Sequence, residues 1–271
     1  MIKWLEEKQQ DINYITIPEW QEEGIANLFT LRHSGNSEGV FASLNMALHV
    51  GDNAEDVINN RKKVLDICDL NFANLVCCEQ VHSDSICIVD SAGRGKGATC
   101  FKEAIKGTDA LITSIPNLPL ATFYADCFPI YFYDKVHRVI AIAHSGWKGT
   151  IKDIGVKTVA KMISHFNCSV NDIQVFIGPG IQNCCFEINK GLAKEVLYKF
   201  PHFKGILLAR EKGFLWDLPN TNRQALLKIG IKAENIIMCP LCTSCHTDKF
   251  FSYRKENGNT GRMAAIISLR Y

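Results

Sequence analysis

No uninterrupted apolar stretch of this 271-residue chain approaches the ~20 residues that span a bilayer, which argues against a transmembrane helix. Its most apolar segment, Leu118 to Tyr133, is broken by Pro119, Asp126 and Pro129 and fits a buried strand pair instead. The N-terminus, Met1-Ile2-Lys3-Trp4-Leu5-Glu6-Glu7-Lys8, lacks the apolar core and small-residue cleavage site of a secretory signal, so a cytoplasmic location is expected. An excess of either charge is missing too: 30 Lys and Arg stand against 28 Asp and Glu, a formal net charge of +2, with the basic residues interleaved among acids. That leaves no basic stripe for phosphate backbones, so neither nucleic acid nor a membrane is expected as a partner. Histidine is scarce at eight residues, too few for the clustered ligands of a blue copper centre with a trinuclear partner. Internal repeats and breaks in composition are also absent.

Cysteine, by contrast, is plentiful, with 12 in the chain. Several lie within apolar strands, as in Ile86-Cys87-Ile88-Val89, where a reduced thiol acts as a small hydrophobe; without a secretion signal, a disulfide framework is not expected. The 47% apolar and 21% charged residues are those of an ordinary folded protein.

Asp52-Asn53-Ala54-Glu55 predicts a capped helix running to about Cys68, with Val57, Val64, Leu65 and Cys68 on its buried face. Strands are expected at Leu75 to Glu79, Ser85 to Asp90, Ala110 to Thr113, Leu118 to Tyr124, Pro129 to Tyr133, Arg138 to Ala143, Gln174 to Ile177 and Asn235 to Cys239. Helices are expected from Gly149-Thr150 to about Phe166, with Ile151, Ile154, Val159, Met162 and Ile163 buried, and over Lys190 to Phe200 and Thr221 to Ile229. Phe250 to Tyr253 and Met263 to Leu269 are read as a closing strand pair around Asn257-Gly258-Asn259. Strands and helices do not alternate regularly enough for a doubly wound sheet, so a single α+β domain over residues 1–271 is the simplest architecture.

Three residues are placed for chemistry. His82 lies between two expected strands, Cys127 at the Asp126-Cys127 break, and His144 at the end of Arg138 to Ala143. Two imidazoles and a thiolate can hold a metal and leave a tetrahedral ion one open position. A buried cysteine and a satisfied structural histidine are the alternative, and spacing does not choose between them. Cys239-Pro-Leu-Cys242-Thr-Ser-Cys245-His246 has metal-knuckle spacing but no second ligand pair at finger-like distance, so reduced turn cysteines are expected there. Gly93-Arg94-Gly95-Lys96-Gly97 lacks a Walker lysine-hydroxyl pair and reads as an exposed loop. Arg61, Arg254, Arg262 and Lys148, the last near a helix start, are candidate anion contacts.

Taken in order, Ser43-Leu44-Asn45, Val50-Gly51-Asp52, Asn60-Arg61, Gln80-Val81-His82, Thr108 to Thr113, Ala125-Asp126-Cys127-Phe128-Pro129, His144 to Thr150, Gly178-Pro179-Gly180-Ile181, Phe251 to Arg254 and Thr260-Gly261-Arg262 resemble the YfiH-type family. That family is also described as laccase-domain or polyphenol oxidase proteins, and as zinc-dependent purine nucleoside enzymes. The resemblance covers nearly the whole chain. It implies mixed β-sheets flanked by helices, and Zn2+ held by His82, Cys127 and His144. It further implies phosphorolysis of adenosine, inosine, guanosine and methylthioadenosine, with deamination of adenosine to inosine. The chain departs from the family pattern at Ser145 (usually Ala), Lys148 (usually Arg) and Ser34 (commonly Gly). Lysine at 148 replaces a bidentate fork with a point charge.

On this view the metal's open position takes water or a phosphate oxygen. Arg61 and Lys148 are expected to neutralise phosphate, Asn45 and Glu187 to hydrogen-bond substrate, Arg262 to bind it, and Asp126 to orient a ligand or act as acid or base. The rival is a metal-free cysteine hydrolase or deamidase, with Cys127 as nucleophile and His144 as its base. Neither view fixes an oligomeric state.

Overall fold

The computed structural model describes residues 3–271. In chain order its strands are β1 (Leu5–Gln9), β2 (Ile12–Thr16), β3 (Ile25–Thr30), β4 (Val76–Cys77), β5 (Ile86–Ile88), β6 (Ala110–Thr113), β7 (Leu120–Tyr124), β8 (Phe128–Asp134), β9 (Val139–Ser145), β10 (Ile173–Ile177), β11 (Glu187–Ile188), β12 (Leu207–Ala209), β13 (Phe214–Trp216), β14 (Ile236–Met238) and β15 (Met263–Leu269). Its helices are α1 (Pro18–Glu22), α2 (Ala54–Asp66), α3 (Trp147–Ile151), α4 (Ile154–Phe166), α5 (Lys190–Lys199) and α6 (Leu218–Lys228).

Two six-stranded sheets, ordered β1-β2-β3-β15-β7-β4 and β14-β10-β8-β9-β6-β5, face each other, and a small sheet β11-β13-β12 stands apart. The alternation of side chains along each strand explains why the central strands are apolar throughout. Tyr131, Tyr133, Ile140 and Ile142 meet Tyr124, Met263, Ala265 and Ile267 between the sheets. Ile130, Phe132, Ala141 and Ala143 point the other way, onto Val159 and Met162 of α4, Ala193 and Val196 of α5 and Leu226 of α6. On the far side of the first sheet, Ala121, Phe123, Ala264 and Ile266 cover Val64 and Leu65 of α2. The architecture is therefore one α+β domain of mixed sheets flanked by helices, as the sequence predicts.

Several local expectations are corrected. Asn53, not Asp52, caps α2: its side chain accepts the Glu55 and Asp56 amides, while Asp52 accepts from Asn45. The strands around His82 shrink to β4 and β5 and join different sheets, so the segment between them crosses from one sheet to the other. The helix expected up to Phe166 breaks into α3 and α4 at Asp153, whose φ of 59° is left-handed, a conformation Asp tolerates better than most residues. Ile163 then lies 38% exposed, not buried. Phe250 to Tyr253 forms no strand. β15 is already paired on both edges, by β3 and β7, which leaves no edge for a hairpin partner. The segment turns inward instead, burying Phe250 and Phe251. The glycine loop is not free either, since Gly97 and Ala98 carbonyls accept from Arg61.

Candidate active site

His144 is the penultimate residue of β9, and Cys127 immediately precedes β8. The antiparallel register pairs Phe128 with Ser145 and Pro129 with His144, so the two candidate ligands emerge at the same end of neighbouring strands. The crossing segment after β4 delivers His82 to the same point, with a left-handed φ of 58°. One nitrogen or sulfur from each of His82, Cys127 and His144 lies within 4.8 Å of the others. Cys127 Sγ is 3.8 Å from His82 Nε2, and the two imidazoles meet edge to face with centroids 4.8 Å apart.

Asp109, which precedes β6, organises this cluster. One carboxylate oxygen lies 2.8 Å from His144 Nδ1 and also accepts the His82 amide at 3.1 Å. The other accepts the Val81 amide and both the amide and hydroxyl of Ser83. With Nδ1 engaged, His144 presents Nε2 towards the cluster, the arrangement by which a carboxylate orients a metal-binding histidine. The electrostatics agree. Burial opposes ionisation of the Cys127 thiol, but the His144 charge and hydrogen bonds from His144 and His82 bring it down to about 6. Burial likewise opposes charge on His144, yet the Cys127 thiolate and Asp109 raise it to about 9. Asp109 itself is held at about 2 against its burial, chiefly by His144 and Ser83. Each group thus favours the charged form of the other, a thiolate beside an imidazolium, and a cation can take the place of the imidazolium proton.

The cluster forms the floor of a cleft of about 530 Å³, within the range of small-molecule sites. Lys148, Arg254 and Arg262 line it, together with the aromatic faces of Phe123, Trp147, Phe186 and Tyr253. Arg262 donates to the Thr260 and Gly261 carbonyls and lies over Tyr253; Arg254 donates to the Cys185 carbonyl and lies over Phe186. His49 also lines the cleft, and burial, then Arg262 and Arg61, lowers it to about 4. It is therefore a neutral imidazole at physiological pH.

The other residues singled out in the sequence divide. Asp126, at a left-handed φ of 87°, lines the cleft, but its carboxylate accepts from Thr243 Oγ1 (2.7 Å), Ser252 Oγ (2.8 Å) and the Arg254 amide (2.7 Å). Those bonds make it an organiser of the wall more than a free acid or base, although burial pushes its carboxyl upward. Lys148 reaches the cleft from α3, a helix of only five residues, with its ammonium over Trp147. Three expected helpers are not brought to the cleft. Arg61 is 2% exposed and donates to the Met46, Gly97 and Ala98 carbonyls while lying over Phe123, so it clamps loops and cannot also hold phosphate. Asn45 is fully buried; its amide bonds Asp52, Ala47 and the Arg262 main chain, positioning Arg262 from behind. Glu187 sits in β11 outside the lining, and its neighbour Phe186 faces the cleft in its place.

Sequence reasoning missed Asp109, His49, Phe123 and Phe186. Asp109 had a signal, a lone acid immediately before the apolar run Ala110-Leu111-Ile112 of the buried strand β6.

The molecule is an α+β domain of mixed sheets in which one cysteine and two histidines, spaced as metal ligands can be, lie beneath a cleft lined by cationic and aromatic side chains. The chain belongs to the family described as multi-copper polyphenol oxidoreductase laccase, whose model matches residues 26–270. It is 38% identical over 244 residues, 89% of each chain, to a protein of Geobacillus stearothermophilus named purine nucleoside phosphorylase YlmD. A Bacillus subtilis protein of the same name is 34% identical over 89% of this chain and 87% of its own length. Among solved structures, the hypothetical protein YfiH of Bacillus licheniformis superposes with a TM-score of 0.91 at 39% identity, covering 94% of this chain and 96% of that one. YlmD of G. stearothermophilus superposes with a TM-score of 0.93 at 34% identity, covering 98% and 99%.

Proposed function

We propose that this protein is a zinc-dependent purine nucleoside phosphorylase acting on adenosine, inosine, guanosine and methylthioadenosine, with adenosine deaminase activity. The observation that carries this reading is the convergence of His82, Cys127 and His144 at the floor of a cleft with cationic and aromatic walls. The relatives' names supply the substrate class. The donor set fits zinc: a thiol already low enough to ionise, two imidazoles, and a fourth direction facing the cleft. A blue copper site uses the same three donors with a weak axial Met or Gln; no Met lines the cleft among the described residues, and the Gln80 amide, which does, is engaged at both ends by the Phe123 main chain. When bound, zinc supplies a Lewis acid at the phosphate or water oxygen that reacts.

Lys148, Arg254 and Arg262 hold the phosphate dianion and offset its charge. Phe123, Phe186 and Tyr253 take the faces of the purine. Held in this way, a phosphate oxygen bonds to C1′ as the C1′–N9 bond breaks, and the electron pair leaves with the purine, which takes up a proton. Deamination uses the same floor: a water oxygen bonds to purine C6, and ammonia departs. Asp109 keeps His144 in one tautomer, and Asp126 positions the Arg254 main chain. Among the described residues no helix is long and apolar enough to cross a membrane.

Incubation with adenosine, with and without phosphate, and separation of adenine, inosine and ribose phosphate tests the activity. Phosphate-dependent release of adenine is expected; its absence from zinc-loaded protein overturns the reading. One observation favours the rival hydrolase: Cys127, His144 and Asp109 also form a thiolate, imidazolium and carboxylate relay. A metal-free active protein that accumulates a thioester on Cys127 would establish it.

A further inference from the structure

Away from the cleft floor, Cys184, Cys185, Cys242 and Cys245 bring four sulfur atoms within 4.8 Å of one another. They come from two turns. The first follows Ile181, where the Cys185 and Phe186 amides both donate to the Gln182 carbonyl. The second opens at Cys242, where the His246 amide donates back to the Cys242 carbonyl. A bridge between Gly180 and Cys242, and the Thr243 amide donating to the Gly180 carbonyl, hold the turns side by side. Cys239, the first cysteine of the knuckle-like sequence, is not part of the group; it is 2% exposed in the core between the sheets.

We propose that Cys184, Cys185, Cys242 and Cys245 form a second metal site, in which four thiolates enclose a single zinc ion that fastens two loops behind the cleft. Cys245 Sγ lies 3.5 Å from Cys184 Sγ and 3.4 Å from Cys185 Sγ. A zinc ion with bonds of about 2.3 Å to sulfur sets its ligands about 3.8 Å apart in a regular tetrahedron, so small side-chain rotations accommodate it. Independently of these distances, the Gln182 amide points at Cys242 Sγ, 3.4 Å away, a donor placed for a sulfur that carries negative charge. Four protein ligands close the coordination sphere, which makes the site structural and not catalytic. Loading releases the thiol protons and involves no oxidation. The remaining ligand-like group, Asp134, His137 and Cys168, has a simpler explanation: Asp134 accepts the Val136 and His137 amides to close the turn after β8.

The two loops both reach the cleft. One carries Phe186 and the carbonyl that receives Arg254; the other carries Thr243, which donates to Asp126. An ion at the quartet therefore steadies the part of the cleft lining formed by Phe186, Arg254 and Asp126.

The test is the zinc content of reduced protein, purified from zinc-supplemented culture and measured by elemental analysis and native mass spectrometry. The wild type, Cys127→Ser and Cys245→Ser are compared, with Cys184→Ser as a second, equally exposed quartet variant. Two equivalents in the wild type are expected, with one lost in Cys127→Ser and one lost in each quartet variant. A single equivalent that disappears in Cys127→Ser and persists in Cys245→Ser overturns the second site. A single equivalent with the opposite pattern keeps the quartet and overturns the zinc assigned to the cleft. A quartet that stays metal-free with all four thiols alkylated by iodoacetamide in the native protein also overturns the proposal.

Discussion

The two thiol-containing clusters of this molecule differ in what surrounds them. At the cleft floor one cysteine meets two histidines, each held by Asp109, one through its ring and one through its amide. In the quartet four cysteines meet with no imidazole and no carboxylate among them. A three-ligand cluster that faces a cleft has a direction left for substrate, whereas four ligands that face one another have none. Two of the three cleft ligands stand at strand ends in one hydrogen-bond register, whereas the quartet stands on two turns. Chemistry needs the stiffer support.

The comparison breaks most sharply at Cys127. Replacing it with alanine is expected to lower phosphorolysis by about a thousandfold or more, as loss of a principal source of electrostatic stabilisation does, and to remove the cleft metal; steady-state kinetics with metal analysis checks both. Asp109→Asn keeps every ligand but releases the His144 tautomer, and is expected to cost about 10–100-fold in zinc affinity or activity. A chelator competition titration measures it, and an unchanged affinity would show that the ring is held by packing alone. Lys148→Ala is expected to raise KM for phosphate about tenfold, the size of one charge-assisted hydrogen bond, with a smaller change in KM for nucleoside. An equal rise in both would move Lys148 from the phosphate to the nucleoside. The mildest test uses pH on metal-stripped protein. Because the folded Cys127 thiol is lowered to about 6, its alkylation rate should be flat at neutral pH and fall as pH drops through about 6. Cys68, raised by burial to about 12, should stay unreactive throughout. Iodoacetamide kinetics read by peptide mass spectrometry separates the two.

Much of this was legible in the sequence because it is local. The start of α2, the apolar strands and the placement of His82, Cys127 and His144 at chain breaks all follow from neighbours in the chain. What was not legible depends on distant partners. Arg61 and Asn45 look like ligand-binding residues in isolation, and only the fold shows the carbonyls and amides that claim them. Phe250 to Tyr253 has the composition of a strand, but β15 has no free edge to offer it. The quartet was invisible for the same reason: Cys242 and Cys245 read as an incomplete knuckle until the fold brings Cys184 and Cys185 to them.

Asp109 has one further consequence. The same carboxylate fastens the backbone of Val81, His82 and Ser83 and aims the ring of His144. A displacement that carries His82 away from the cluster must break bonds to the same carboxylate that holds the His144 ring. The crossing segment and the end of β9 thus share one anchor, and a change at Asp109 reaches both histidines at once.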